Sequence, residues 1–104
     1  MALQLILTGE VIDAQAALRI GLVNEVVPAD TLLSRAQQIV DAITANAPLA
    51  TRLALEAVNR GADAPLAEAL VIERAMFAIC TSSDDKREGT EAFLGKRKAV
   101  FQGH

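Results

Sequence analysis

The sequence predicts a mainly α-helical chain with at most one short strand, near residues 22–27. Three observations lead there. Apolar residues recur at three- and four-residue spacing through most of the 104 positions, which is the period of a helix that buries one stripe. Gly21, Pro48, Gly61 and Pro65 stand where such helices would stop and start. The apolar composition is Leu, Ile, Val and Ala with three Phe and no Trp or Tyr, and Ala-rich faces allow helices to pack closely.

Each element follows in order. Met1 to Leu7 is apolar apart from Gln4 and too short for periodicity to separate helix from strand, but Ala2, Leu3, Gln4 and Leu5 favour the end of a helix. It begins without a cap, so chain is expected to precede it. Asp13 is placed to cap Ala14–Ile20, because its carboxylate can accept from the free amides of a first turn, and Gly21 can take the left-handed conformation that ends a helix. Leu22–Val27 carries β-branched residues and reads as the short strand, with Pro28 marking its exit.

Asp30 is expected to cap the next helix, where Leu32, Leu33, Ala36, Ile39, Val40 and Ile43 share one face opposite Arg35, Gln38 and Asp41. That helix should end near Ala45. Pro48 suits the first position of a following helix that runs to Arg60 and stops at Gly61. Ala64-Pro65 repeats the device for a helix ending near Thr81, with Leu66, Leu70, Phe77 and Cys80 on one face. Ser82 or Ser83 should cap a last helix with Asp84 and Asp85 in its first turn and Lys96 and Arg97 in its last, both favourable to the helix dipole. Gly89 and Gly95 would weaken it, so a close backbone approach at Gly89 or fraying at Gly95 is expected.

Composition bounds the function. A chain this short is at most one domain and would bury about two-thirds of its unfolded surface, so a partner would help it. The single Cys80 excludes an internal disulfide and offers no second thiol for a structural metal, which suits a cytoplasmic location. No apolar run reaches the roughly 20 residues of a membrane span, and no export signal is visible. Net charge is −3, with Lys96, Arg97 and Lys98 as the one concentrated positive patch. A patch of this size suits a phosphate-bearing ligand better than a duplex, and a helix-turn-helix DNA binder is disfavoured by the acidic balance.

The candidate chemical residues each have a plain structural reading. Glu10 and Glu25 flank the small helix and could divide acid and base roles, but exposed turn residues are the simpler account. Glu73 lies on the apolar line of its helix and is expected to pair with Arg52 or Arg74. Cys80 reads as a small core residue and His104 as a frayed end. Phe93 and Lys96, three apart, would share a helical face on which a ring can stack on a base and an ammonium can reach a phosphate. On residues alone the simpler account is a core Phe beside a solvated Lys.

Two ordered motifs, about sixty residues apart, add a resemblance. Leu7-Thr8-Gly9, the step from Ala14 and Ala17 to Gly21-Leu22-Val23, and Val26-Val27-Pro28 form the first; Ser83-Asp84-Asp85 through Ala92-Phe93-Leu94-Gly95-Lys96-Arg97 form the second. Together they resemble the crotonase (enoyl-CoA hydratase) superfamily, whose common Thr-Glu-Asp is Ser83-Asp84-Asp85 here and whose frequent Lys in the fourth helix is Leu55.

The resemblance implies that residues 1–104 correspond to the C-terminal helical, trimerising layer of the crotonase ClpP-like fold, without the N-terminal ββα spiral. It implies reversible hydration of trans-2-enoyl-CoA to 3-hydroxyacyl-CoA, with acyl-CoA as substrate and no tightly bound cofactor or metal. The family's two water-activating glutamates and its oxyanion hole lie upstream of the LTG segment, so Glu10, Glu25 and Glu73 inherit no catalytic role and this chain alone should be inactive. Phe93 and Lys96 would help hold the coenzyme A of a neighbouring subunit in a homo-oligomer, a trimer or dimer of trimers, with no nucleic acid or membrane partner. Isomerases, dehalogenases and synthases of the superfamily share this layer. A free-standing helical assembly module without ligand is the alternative from another class.

Overall fold

The computed structural model describes residues 1–104 and contains six helices and no strand. It divides into two compact units, residues 1–37 and 38–104. In the first, α1 (Ala2–Thr8) ends where Gly9, at φ 65°, turns left-handed and returns its N–H to the Leu5 carbonyl. Asp13 caps α2 (Ala14–Arg19) as its position predicts, accepting from the Ala16 N–H at 2.6 Å. At the other end Gly21 N–H donates to Leu18 O and Leu22 N–H to Ala17 O. These two bonds, with Gly21 at φ 74°, form a Schellman cap.

The segment expected as a strand stays irregular. One extended run without a sheet partner cannot satisfy its backbone groups as a ladder, and none is present in the chain. Glu25 instead accepts from Arg35 through both guanidinium prongs, Nε at 2.8 Å and Nη2 at 3.0 Å. That contact ties the run to α3 (Leu32–Thr44), which crosses the boundary between the units. α3 starts one residue later than expected: Thr31, whose N–H and hydroxyl both donate to Pro28 O, precedes it in place of Asp30.

In the second unit α4 (Pro48–Gly61) and α5 (Leu66–Thr81) begin at or just after the predicted prolines and form the most extensive helix pair. Small residues bring their joined ends together: a Cβ added at Gly61 would lie 3.4 Å from Ala69 Cβ. Leu53 of α4 is buried, but Leu66, Leu70 and Phe77 of α5 share a face that is largely exposed.

α6 (Asp84–Leu94) is capped by Ser83, whose hydroxyl accepts from the Lys86 N–H at 3.1 Å. The chain beyond it folds back along the helix. Asp85, 2% exposed, accepts from the backbone N–H groups of Gln102 at 2.6 Å and Gly103 at 2.8 Å. Its own N–H donates to His104 O at 3.1 Å, so the terminal residue expected to fray is tied down through its carbonyl. The expected backbone approach at Gly89 is made by a side chain: the Phe101 ring would lie 3.4 Å from a Cβ there. Gly103, at φ 87°, brings the tail against Pro48 at the start of α4.

Only Ala17, Leu53 and Ala92 are buried among the apolar residues, while Leu33, Val11, Leu66, Phe77 and Phe93 each expose most of their surface. No helix is long and apolar enough to cross a membrane.

Because Asp85 is the acceptor for two tail amides, Asp85→Ala should destabilise the second unit by roughly 2 kcal/mol, the scale set by part-buried donors left without partners. Urea denaturation measures the loss, and hydrogen exchange at Gln102 and Gly103 should accelerate in the same variant.

Candidate functional site

The end of α6 brings the candidate ligand residues together, although not on the surface the spacing predicts. The helix stops at Leu94 because Gly95 is its C-cap and Lys96 turns to φ 50°, so Lys96 and Arg97 lie beyond the last turn and not within it. Lys96 N–H donates to Phe93 O at 3.2 Å and Arg97 N–H to Ala92 O at 3.0 Å. This is the same Schellman arrangement as at the end of α2, with lysine where α2 has Gly21.

The left-handed conformation costs an L-residue with a Cβ about 1–2 kcal/mol. Glycine stands one place earlier for a different reason: a Cβ at Gly95 would approach Glu91 O to 3.1 Å. The turn is therefore capped, not frayed.

Phe93 exposes 83% of its surface, and Lys96 is also exposed. The ring is thus no core residue. An exposed aromatic face and an ammonium three residues away, joined through a backbone hydrogen bond across a fixed turn, can meet a flat heterocycle and an anionic group of one ligand.

Arg97 holds the segment beyond the turn. Its Nη1 and Nη2 donate to Glu88 Oε1 and Oε2 at 2.6 and 2.8 Å, and Val100 N–H donates to the same Oε1 at 2.8 Å. The Arg97 guanidinium, then the Val100 amide, lower the Glu88 carboxyl from 4.5 to about 2 against a smaller opposing effect of desolvation. The same contact raises Arg97 above its ordinary value.

Sequence reasoning missed Glu88 and Asp85. Their partners lie nine to eighteen residues away across a turn, where helical periodicity carries no information. The one available signal was the cluster of Glu88, Arg97 and two glycines between them.

The other candidates are not gathered into a site. Glu25 is occupied by Arg35, which lowers its carboxyl mainly through their hydrogen bonds. Glu10 is exposed. Glu73 is exposed and makes no ion pair with Arg52 or Arg74, because its helix face is open to water and desolvation does not compel pairing. It lines an open apolar groove of about 470 Å³ between α4 and α5, with Leu53, Leu70, Phe77 and the half-buried Cys80.

A family model described as enoyl-CoA hydratase/isomerase matches residues 1–104. The chain belongs to this family. It is 44% identical over 98 residues to the short-chain-enoyl-CoA hydratase of Clostridium acetobutylicum, an alignment covering 94% of this chain and 38% of that protein. It is also 44% identical over 101 residues to the crotonyl-CoA hydratase of Syntrophomonas wolfei, covering 97% and 39%. A structure assigned as an enoyl-CoA hydratase/isomerase from Mycobacterium abscessus superposes with a TM-score of 0.92 at 43% identity, over 99% of this chain and 43% of that one. As an enoyl-CoA hydratase/isomerase family member, the chain thus spans less than half the length of the relatives it matches, and its helical architecture agrees with the helical layer that the resemblance implies.

Two outcomes follow from the geometry of the turn. The Glu88 carboxyl is lowered in the folded chain, so the unfolded chain binds the extra proton first as pH falls. Its stabilising contribution is complete above about pH 4.5 and disappears as pH drops toward about 2. Urea unfolding across that window should show a shallower acid dependence in Glu88→Gln. Lys96→Gly should raise stability by about 1 kcal/mol by removing the left-handed strain, measurable by the same denaturation at neutral pH.

Proposed function

We propose that this chain is the helical, subunit-joining part of an enoyl-CoA hydratase that adds water reversibly to a trans-2-enoyl-CoA. The observation that carries the reading is the 44% identity, across nearly the whole chain, to proteins named as short-chain-enoyl-CoA and crotonyl-CoA hydratases. In this reading residues 1–104 form one C-terminal helical region of a longer, cytoplasmic enzyme, and the exposed apolar helix faces are covered by the spiral part and by other copies in a homo-oligomer.

Phe93 and Lys96 are its ligand residues. The exposed ring stacks on the adenine of a coenzyme A held by the neighbouring subunit, and the Lys96 ammonium meets a phosphate of the same molecule. Their exposure at the end of α6 supports this role, as does the presence of a lysine at a backbone position that favours glycine. The chain contributes no catalytic carboxylate. Glu25 is committed to Arg35 and Glu88 to Arg97, while Glu10 and Glu73 are exposed to water without a converging partner. A pair able to activate and deliver water needs two carboxylates in unlike environments facing one substrate, which the family supplies upstream of the LTG segment.

Purified alone, the chain should not hydrate crotonyl-CoA, followed as loss of enoyl absorbance. Turnover above a contaminant control would overturn the non-catalytic reading and return Glu10, Glu25 and Glu73 to consideration. In the family-length enzyme that carries this chain, Lys96→Ala should raise KM for crotonyl-CoA about tenfold with little change in kcat, the scale of one charge-assisted contact to a bound phosphate.

A further inference from the structure

We infer that Glu88 is a positioning residue for the ligand contact, holding Lys96 in its left-handed turn through Arg97 and the Val100 amide. The inference rests on the coenzyme A reading of Phe93 and Lys96 and extends it to a residue that touches neither ligand nor reacting atoms.

Three observations lead to it. Lys96 occupies a conformation that an L-residue enters against its own sterics, so something outside the residue must keep it there. The two Schellman hydrogen bonds are common to this turn and to the one at Gly21, where glycine meets no such resistance. What the Lys96 turn has in addition is a two-pronged bond from the very next side chain, Arg97, to Glu88 in the middle of α6.

The geometry limits the ways in which the turn can relax. Arg97 is bound at its backbone N–H to Ala92 O and at its guanidinium to Glu88, one and two turns back along the same helix. Val100 N–H, bound to Glu88 Oε1, fixes the chain three residues further on. Lys96 thus lies between α6 and a segment pinned to α6. Moving it to a right-handed φ would swing residues 97–100 away from the helix and break all three bonds to Glu88.

The Glu88 side chain is 24% exposed against 47% for Arg97, so this is the more sheltered end of a fork-to-fork contact and not a loose surface pair. The side chain of Asp85, one turn before Glu88, holds the tail only at Gln102 and Gly103, which lie beyond the segment pinned by Glu88. When Glu88 is replaced, the Arg97 N–H bond to Ala92 O is the hydrogen bond that still joins residues 97–100 to α6.

Two measurements test the assignment. In the 104-residue chain, the backbone scalar coupling and carbon shifts of Lys96 report its φ. Glu88→Gln should move them from left-handed values toward an average over several conformations, and Arg97→Lys, which keeps the charge but removes the fork, should move them part of the way. In the family-length enzyme a double-mutant cycle reads KM for crotonyl-CoA. Glu88→Gln should raise it about fivefold alone and have no further effect once Lys96 is alanine, because its action passes through Lys96.

Unchanged Lys96 values in Glu88→Gln overturn the positioning role. So does a Glu88→Gln effect on KM that persists in the Lys96→Ala background. Unchanged KM in Lys96→Ala is a different failure: it overturns the coenzyme A reading itself, while the Lys96 φ still reports whether Glu88 holds the turn.

Discussion

The second unit depends on a buried carboxylate whose partners are all main-chain groups. Asp85 sits in the first turn of α6, where a negative charge already complements the helix dipole, and uses both oxygens to hold the amides of Gln102 and Gly103. Its backbone N–H, which the helix cannot satisfy, is taken by His104 O. One residue thus provides for an orphan donor of the helix and closes the tail against its own helix. With the tail in place, Phe101 covers the bare surface at Gly89 and Gly103 reaches Pro48 of α4. Without it, α6 would have little to hold it to the helix pair, since Ala92 is its only buried apolar residue.

Local chemistry was the legible part of this chain. Asp13 and Ser83 cap the helices they precede, and Pro48, Pro65 and Gly21 mark real boundaries. Each acts within four residues of itself, so position in sequence is nearly position in space. The face formed by Leu66, Leu70, Phe77 and Cys80 was equally readable, because helical period alone determines it.

Elsewhere the structure departs from what local chemistry predicts. Helix-dipole preference puts Lys96 and Arg97 in the last turn, but the helix ends at Leu94 and the Arg97 guanidinium reaches back to Glu88 instead. The apolar line of its helix predicts a paired Glu73, but that face is open to water. Leu22–Val27 has the residues of a strand but no second strand to pair with. For Lys96 and Arg97 the deciding neighbour, Glu88, lies outside the local window. The A-F-x-x-K-R resemblance points to Phe93 and Lys96 as candidates, whereas the left-handed turn at Lys96 has no signature in the helical period.

The close approach of Gly61 and Ala69 has a consequence for the open side of the helix pair. Two residues with almost no side chain set how near α4 and α5 come at their joined ends, while Phe77 and Met76 stand farther along the groove. Both positions also line the groove, so a larger residue at either would push the helices apart at their joined ends and reshape the apolar surface that Leu53, Leu70 and Phe77 share.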